Sequence, residues 1–241
     1  MRSVGSPPMI KAVLFDVDDT LYPSSKLAEE ARRNAIRAMI EAGLETDLSE
    51  EELYRELQEV VKEYGSNHPR HFDLLLRRIG ADPEPKLVAA AVVAYHDTKF
   101  AYLKPYPDVI PTLMQLREMG FKLGAVTSGL AVKQWEKLIR LGIHHFFHEV
   151  VISEEIGVEK PNPKIFIEAA RRLGVKPEEA VYVGDRLDKD IRGANRAGMV
   201  TVRIRRGKYQ DMEPRNDDDV PDFEIDRPRE LLDVVRELAK D

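Results

Sequence analysis

Two periodicities divide the chain. The stretch Ala12-Val13-Leu14-Phe15 is continuously apolar and rich in β-branched and aromatic side chains, the pattern of a buried strand. It stops at Asp16-Val17-Asp18-Asp19-Thr20. The period then changes. After Ser24 or Ser25, either able to cap a helix, apolar residues recur every three or four positions at Leu27, Ala31, Ala35, Met39 and Ala42, up to Gly43. Ser49 and Glu52 form a capping box ahead of a second helix that runs through Leu53, Leu57, Val60, Val61 and Tyr64 to Gly65. The pattern predicts a third helix over His71 to Ile79 and a fourth over Lys86 to Ala101. Residues 24–103 therefore read as an all-helical insert.

Pro105 and Pro107 punctuate the return to a different pattern, in which helices and strands alternate. Helices are predicted at Val109–Met119, Ala131–Leu141, from Pro163 to about Gly174, and at Lys189–Ala197. Strands are predicted at Phe121–Val126, Glu149–Ile152, Ala180–Val183 and Val200–Ile204. Residues 207–221 read as a solvated loop before Phe223–Ile225 and a closing helix from Arg229 to Ala239. This spacing implies an α/β fold built on a doubly wound, Rossmann-like parallel sheet. The core would take residues 9–23 and 104–241, a smaller all-helical domain residues 24–103, and a frayed tail residues 1–8.

Composition narrows the class. Of 241 residues, 43% are hydrophobic and 33% charged, as in a soluble globular protein. No apolar run approaches the ~20 residues that span a bilayer, and the first residues lack the apolar centre of a signal peptide, so the expected location is cytoplasmic. A net charge of −6 gives no overall attraction to nucleic acid or to anionic membranes, which favours a small soluble partner. With no cysteine, any metal must be held by oxygen or imidazole.

In an open α/β sheet, ligands bind beyond the carboxyl ends of the strands. Those ends carry Asp16 and Asp18 on the first strand, Thr127 and Ser128 on the second, and Asp185 with Asp188 and Asp190 on the fourth; Lys160 lies in the loop before Pro161. Carboxylates without histidine make a hard oxygen site that suits Mg2+. A lysine and hydroxyls facing it suit phosphate oxygens.

These residues occur in an order that resembles the haloacid dehalogenase superfamily phosphatases: Asp16-x-Asp18-x-Thr20, Thr127, Lys160 and Gly184-Asp185-x-x-x-x-Asp190. The insert resembles that family's helical C1-type cap. Phe15-Asp-Val-Asp-Asp-Thr-Leu-Tyr-Pro23 and Glu159-Lys-Pro-Asn-Pro-Lys-Ile-Phe166 are similar to small-metabolite phosphatases, archaeal members acting on glyceraldehyde 3-phosphate among them. The resemblance implies a magnesium-dependent phosphatase acting on a small phosphorylated metabolite through an aspartyl phosphate. It implies Asp16 as nucleophile and Asp18 as acid and base. Asp16, the backbone carbonyl of Asp18, and Asp185 would be metal ligands, and Thr127, Ser128 and Lys160 phosphate ligands. Asp190 would orient Lys160 or metal-bound water, a role Asp188 could share because it stands where relatives often have asparagine. A phosphomutase shares the core motifs. A phospho-aspartate receiver shares the chemistry but is about half this length and has no such insert.

Other residues have plainer readings. Asp19 and Thr20 suit a turn. His144, His145 and His148 fall in a helix-to-strand connection, and His68 and His71 in the insert, where one could face substrate. Tyr95 and Phe100 read as core of the insert, Trp135 as packing, and at least one of Arg203, Arg205 and Arg206 as a solvated charge.

Overall fold

The computed structural model describes residues 9–239. The expected N-terminal tail, residues 1–8, lies outside them. Ten α-helices and six strands occur among the described residues in the order β1 (Ala12–Phe15), α1 (Ser24–Glu41), α2 (Glu50–Tyr64), α3 (His71–Arg78), α4 (Pro85–Tyr102), α5 (Val109–Glu118), β2 (Lys122–Thr127), α6 (Ala131–Arg140), β3 (Glu149–Ile152), α7 (Ser153–Ile156), α8 (Pro163–Leu173), β4 (Ala180–Gly184), α9 (Arg192–Ala197), β5 (Val200–Ile204), β6 (Phe223–Ile225) and α10 (Leu231–Leu238). The chain divides into two compact units, Ser25–Leu103 and the described residues on either side of it.

The α/β unit is a six-stranded sheet in the order β3-β2-β1-β4-β5-β6 with every pairing parallel. From β1 the chain builds outward through β2 and β3, then crosses to the other side of β1 for β4, β5 and β6. The reversal puts a switch point between β1 and β4, and the crevice beyond their carboxyl ends is where ligands bind in such sheets. Register aligns the two tips: Phe15 pairs with Ala125 on one side and Val183 on the other, and the Asp16 amide donates to the Val183 carbonyl at 2.8 Å.

All four residues of β1 are buried, as its unbroken apolar pattern requires. On one face Ala12, Leu14 and Tyr182 pack against Ile165, Phe166, Ala169, Ala170 and Leu173 of α8. That helix starts where Asn162 accepts from the Lys164 amide at 3.0 Å with Pro163 in its first turn, and ends at Gly174 in the left-handed conformation. In the helical unit, Ile36 and Met39 of α1, Leu53 and Leu57 of α2, Leu75 and Leu76 of α3, and Leu87 and Ala91 of α4 form a separate core. The Ser49 capping box forms, with the Glu52 carboxylate accepting from the Ser49 amide at 2.8 Å.

Several local expectations change. The segment expected to be helical from Lys189 begins earlier, as a π-helical turn over Leu187–Ile191 that runs into α9. Phe100 is 48% exposed, whereas Tyr95 packs against the helical core. Of the three arginines after Val202, Arg205 is exposed, as expected of at least one of them, whereas Arg203 is buried and donates to Glu224 and to the carbonyls of Tyr209, Gln210 and Met212, so it ties down the segment after β5. Short α7 is unanticipated: Ser153 accepts from the Gly129 amide and Glu154 from the Ala131 amide, which anchors the turn between β2 and α6. No helix among the described residues is long and apolar enough to cross a membrane.

Candidate active site

Asp16 continues β1 past its last paired residue and remains buried. One carboxylate oxygen accepts from the Lys160 ammonium at 2.5 Å, and the other accepts from the Thr20 hydroxyl at 3.3 Å. Lys160, 5% exposed, also donates to Asp190 at 2.8 Å and to the Val126 carbonyl and the Tyr182 hydroxyl at 3.3 Å each. One ammonium thus gathers groups from β1, β2, β4 and the π-turn.

The π-turn gives Asp190 its place. Its second carboxylate oxygen accepts from the Arg186 amide at 3.1 Å, folding the side chain back over the end of β4. The space exists because residue 184 is glycine: a Cβ there would lie 2.5 Å from the Asp190 Cβ. Asp188 turns away from Lys160 and pairs with the Arg186 guanidinium through contacts of 3.0 and 2.8 Å. Of these two aspartates, Asp190 is the one that faces Lys160.

Among the described residues, one trio of ligating side chains converges: Asp16, Asp185 and Asp190 each offer a carboxylate oxygen within 4.8 Å of the others, and all three are buried. Burial and the neighbouring Asp190 charge push the Asp16 carboxyl up to about 7, against the pull of Lys160. Burial, then Asp190 and Asp16, push Asp185 up to about 10. Burial disfavours the Lys160 ammonium, but Asp16 and Asp190 outweigh it and hold its pKa well above the ordinary value. Three buried carboxylates thus converge, and one ammonium pairs with two of them. The donors are hard oxygens and short of positive charge, so they fit a divalent cation, which would favour their ionised forms.

The Asp18 side chain is directed elsewhere. One of its oxygens accepts from Tyr22 at 2.6 Å and Lys137 at 2.7 Å, and the other from Lys137 at 3.0 Å. Its side chain is 44% exposed. Burial opposes ionisation there, but the Lys137 charge and these hydrogen bonds outweigh it and lower the pKa. The Asp18 side chain thus stands outside the carboxylate trio. Thr127, buried at the end of β2, donates to the Gln134 amide oxygen at 3.1 Å. The Ser128 hydroxyl is buried and has no hydrogen-bond partner among the described residues, which leaves it open to a ligand.

Lys137, Gln134, Tyr22 and Tyr182 went unread in the sequence. The signal was Gln134 and Lys137 three apart on the helix that follows Thr127, which puts both on one face. Three of the histidines contact backbone through a ring nitrogen. His148 Nδ1 accepts from the Leu123 amide at 3.0 Å, His68 Nδ1 accepts from the Arg70 amide at 3.1 Å, and His71 Nε2 lies 2.8 Å from the Gly65 carbonyl.

The family model for haloacid dehalogenase-like hydrolases matches residues 10–198, a span that holds β1, the helical insert and every residue of this cluster. The chain belongs to this hydrolase family. A glyceraldehyde 3-phosphate phosphatase of Methanocaldococcus jannaschii is 51% identical over 233 residues, covering 97% of this chain and all of the relative. One from Pyrococcus furiosus is 48% identical over 96% of each chain. Among solved structures, a HAD phosphatase from Thermococcus onnurineus superimposes with a TM-score of 0.63 at 31% identity, over 94% of this chain and 98% of that one. Haloacid dehalogenase-like phosphatases generally use a divalent metal, in keeping with the oxygen donors gathered here.

Proposed function

We propose that this hydrolase removes the phosphoryl group from small phosphate monoesters, with glyceraldehyde 3-phosphate or a similar triose or sugar phosphate as substrate and Mg2+ as the metal. The observation that carries the reading is the buried ammonium of Lys160 bridging Asp16 and Asp190 beside Asp185, at the switch point of the sheet. The activity of the archaeal relatives, similar over nearly the whole chain, supports the choice of substrate.

Asp16 attacks phosphorus, the bond from phosphorus to the ester oxygen breaks, and Asp18, which Lys137 keeps ionised in the free protein and which takes up a proton as the anionic phosphate binds, passes that proton to the departing alcohol. Water then attacks the aspartyl phosphate. Asp18, now a carboxylate, accepts the proton from that water, and Asp16 is released with inorganic phosphate. Thr127, turning its one hydroxyl proton from Gln134 to the substrate, and Ser128 donate hydrogen bonds to the phosphoryl oxygens, and Lys160 offsets charge on both Asp16 and the phosphate. Asp190 keeps Lys160 in place. Asp16, Asp185 and the Asp18 backbone carbonyl would hold Mg2+, which supplies positive charge against the phosphoryl oxygens. Residues 24–103 serve as the cap domain that selects the leaving group, and the enzyme acts on metabolites of the cytoplasm.

Phosphate release from glyceraldehyde 3-phosphate, followed with magnesium and with chelator, tests the reading. Asp16→Ala is expected to show no turnover, and wild type none in chelator. Turnover retained by Asp16→Ala, or an isomeric phosphate ester as product in place of free phosphate, would overturn it.

A further inference from the structure

Two lysines divide the carboxylates at the tip of β1. Lys160 pairs with Asp16 and Asp190. Lys137, from the face of α6 turned to this edge, pairs with Asp18 alone and is 17% exposed. Its ammonium contacts three oxygens: both of the Asp18 carboxylate, at 2.7 and 3.0 Å, and Oε1 of Gln134 at 2.9 Å. That same Gln134 oxygen accepts from Thr127. A continuous chain of hydrogen bonds thus runs from Thr127 at the end of β2, through Gln134 and Lys137 on α6, to Asp18 beyond β1, where Tyr22 meets the same Asp18 oxygen from the opposite end.

A plain ion pair explains little of this. Asp18 is almost half exposed, and an exposed pair contributes at most about 1 kcal/mol. What the arrangement achieves is orientation. An aspartate side chain has several staggered positions open to it. Two donors on one oxygen, one of them also touching the second oxygen, select a single position. Gln134 fixes the ammonium in turn, and the anchored turn before α6 fixes the helix.

We propose that Lys137 is a positioning residue for proton transfer: with Tyr22 it holds the Asp18 carboxyl apart from the Lys160 pair, in the orientation from which it serves the departing alcohol. The inference rests on Asp18 being the acid, as read above. A misplaced acid slows loss of a poor leaving group far more than loss of a good one, because only the poor one needs its proton in the transition state.

The test compares kcat/KM, which reports the step that releases the alcohol, on an alkyl phosphate and on p-nitrophenyl phosphate in Lys137→Met, with folding checked by melting temperature. The expected result is a loss of about 10- to 100-fold on the alkyl ester and less than about threefold on the aryl ester. Equal losses on both esters, or no loss, would overturn the proposal. Tyr22→Phe removes the other donor on the same oxygen and should show the same selectivity, so the question stays answerable if the lysine variant does not fold. Asp18→Asn separates the two levels. Selective loss in Asp18→Asn without it in Lys137→Met refutes the role of Lys137 alone, whereas its absence from both refutes Asp18 as the acid.

Discussion

Replacing Lys160 by methionine keeps most of the side chain's length and removes only the charge. In the native cluster that charge lies 2.5 Å from Asp16 and 2.8 Å from Asp190 and is 5% exposed. At an effective dielectric of about 20, one such contact is worth roughly 6 kcal/mol before desolvation is counted. Desolvation of the ammonium offsets much of that, and the stranded carboxylates relieve their repulsion by taking up protons. The net loss expected for breaking a buried pair is about 3–5 kcal/mol, or a fall of ~6–20 °C in the melting temperature of the α/β unit. The sign of its pH dependence follows from Asp16, already raised to about 7. A carboxyl whose folded pKa is raised loses stability as pH climbs through that value, and without Lys160 the value rises further. The deficit should therefore be larger at about pH 8.5 than at about pH 5.5. Added magnesium should narrow it by supplying the missing positive charge. Circular dichroism melts of both proteins, with chelator at each pH and again with magnesium, make the comparison. A deficit under ~2 °C at the higher pH without metal, or one that shrinks as pH rises, would refute the electrostatic account of the cluster.

Three further outcomes follow from other parts of the structure. Gly184→Ala places a methyl group 2.5 Å from the Asp190 Cβ, so overpacking should cost about 1–3 kcal/mol and phosphate release should fall as Asp190 loses its hold on Lys160; crystallography of the variant would show Asp190 displaced. Asp219, kept ionised below its ordinary pKa chiefly by its hydrogen bond from Arg192 at 2.7 Å, contributes stability that is present above about pH 4 and lost as pH falls through the native value. The gap in melting temperature between wild type and Asp219→Asn should accordingly narrow toward acid pH. In the helical unit, Ser49→Ala removes the side chain that accepts from the Glu52 amide and should cost about 0.5–2 kcal/mol in urea unfolding, with catalysis untouched.

How far the sequence could be read depended on whether a feature is local. The unbroken apolar run of β1, the alternation that follows Pro107 and the Ser49 capping box are properties of neighbouring residues, and the elements they predict appear within a residue or two of their expected ends. The cluster at the switch point was legible for a different reason: parallel strands bring their carboxyl ends to one edge, so residues at those ends had to meet. What stayed hidden depends on side-chain direction. The π-turn that folds Asp190 over Gly184 has the apolar pattern of an ordinary helix. Which of Arg203, Arg205 and Arg206 is the edge charge cannot be read until the segment after β5 is seen curling back to offer Arg203 three carbonyls. Lys137 and Gln134 are unremarkable polar positions on an amphipathic helix. Only the approach of α6 to the tip of β1 gives them Asp18 and Thr127 as partners.

The central claim is that Asp16 carries the phosphoryl group between two half-reactions. Quenching the enzyme in acid during turnover of glyceraldehyde 3-phosphate, then reducing with borohydride, converts an aspartyl phosphate to homoserine at the residue that bore it. Mass spectrometry of the peptide containing Asp16-Val17-Asp18-Asp19 should find homoserine at position 16 and leave the other two aspartates unchanged. Homoserine at position 18 or 19, or an unmodified peptide from enzyme quenched while phosphate is being released, would contradict the account.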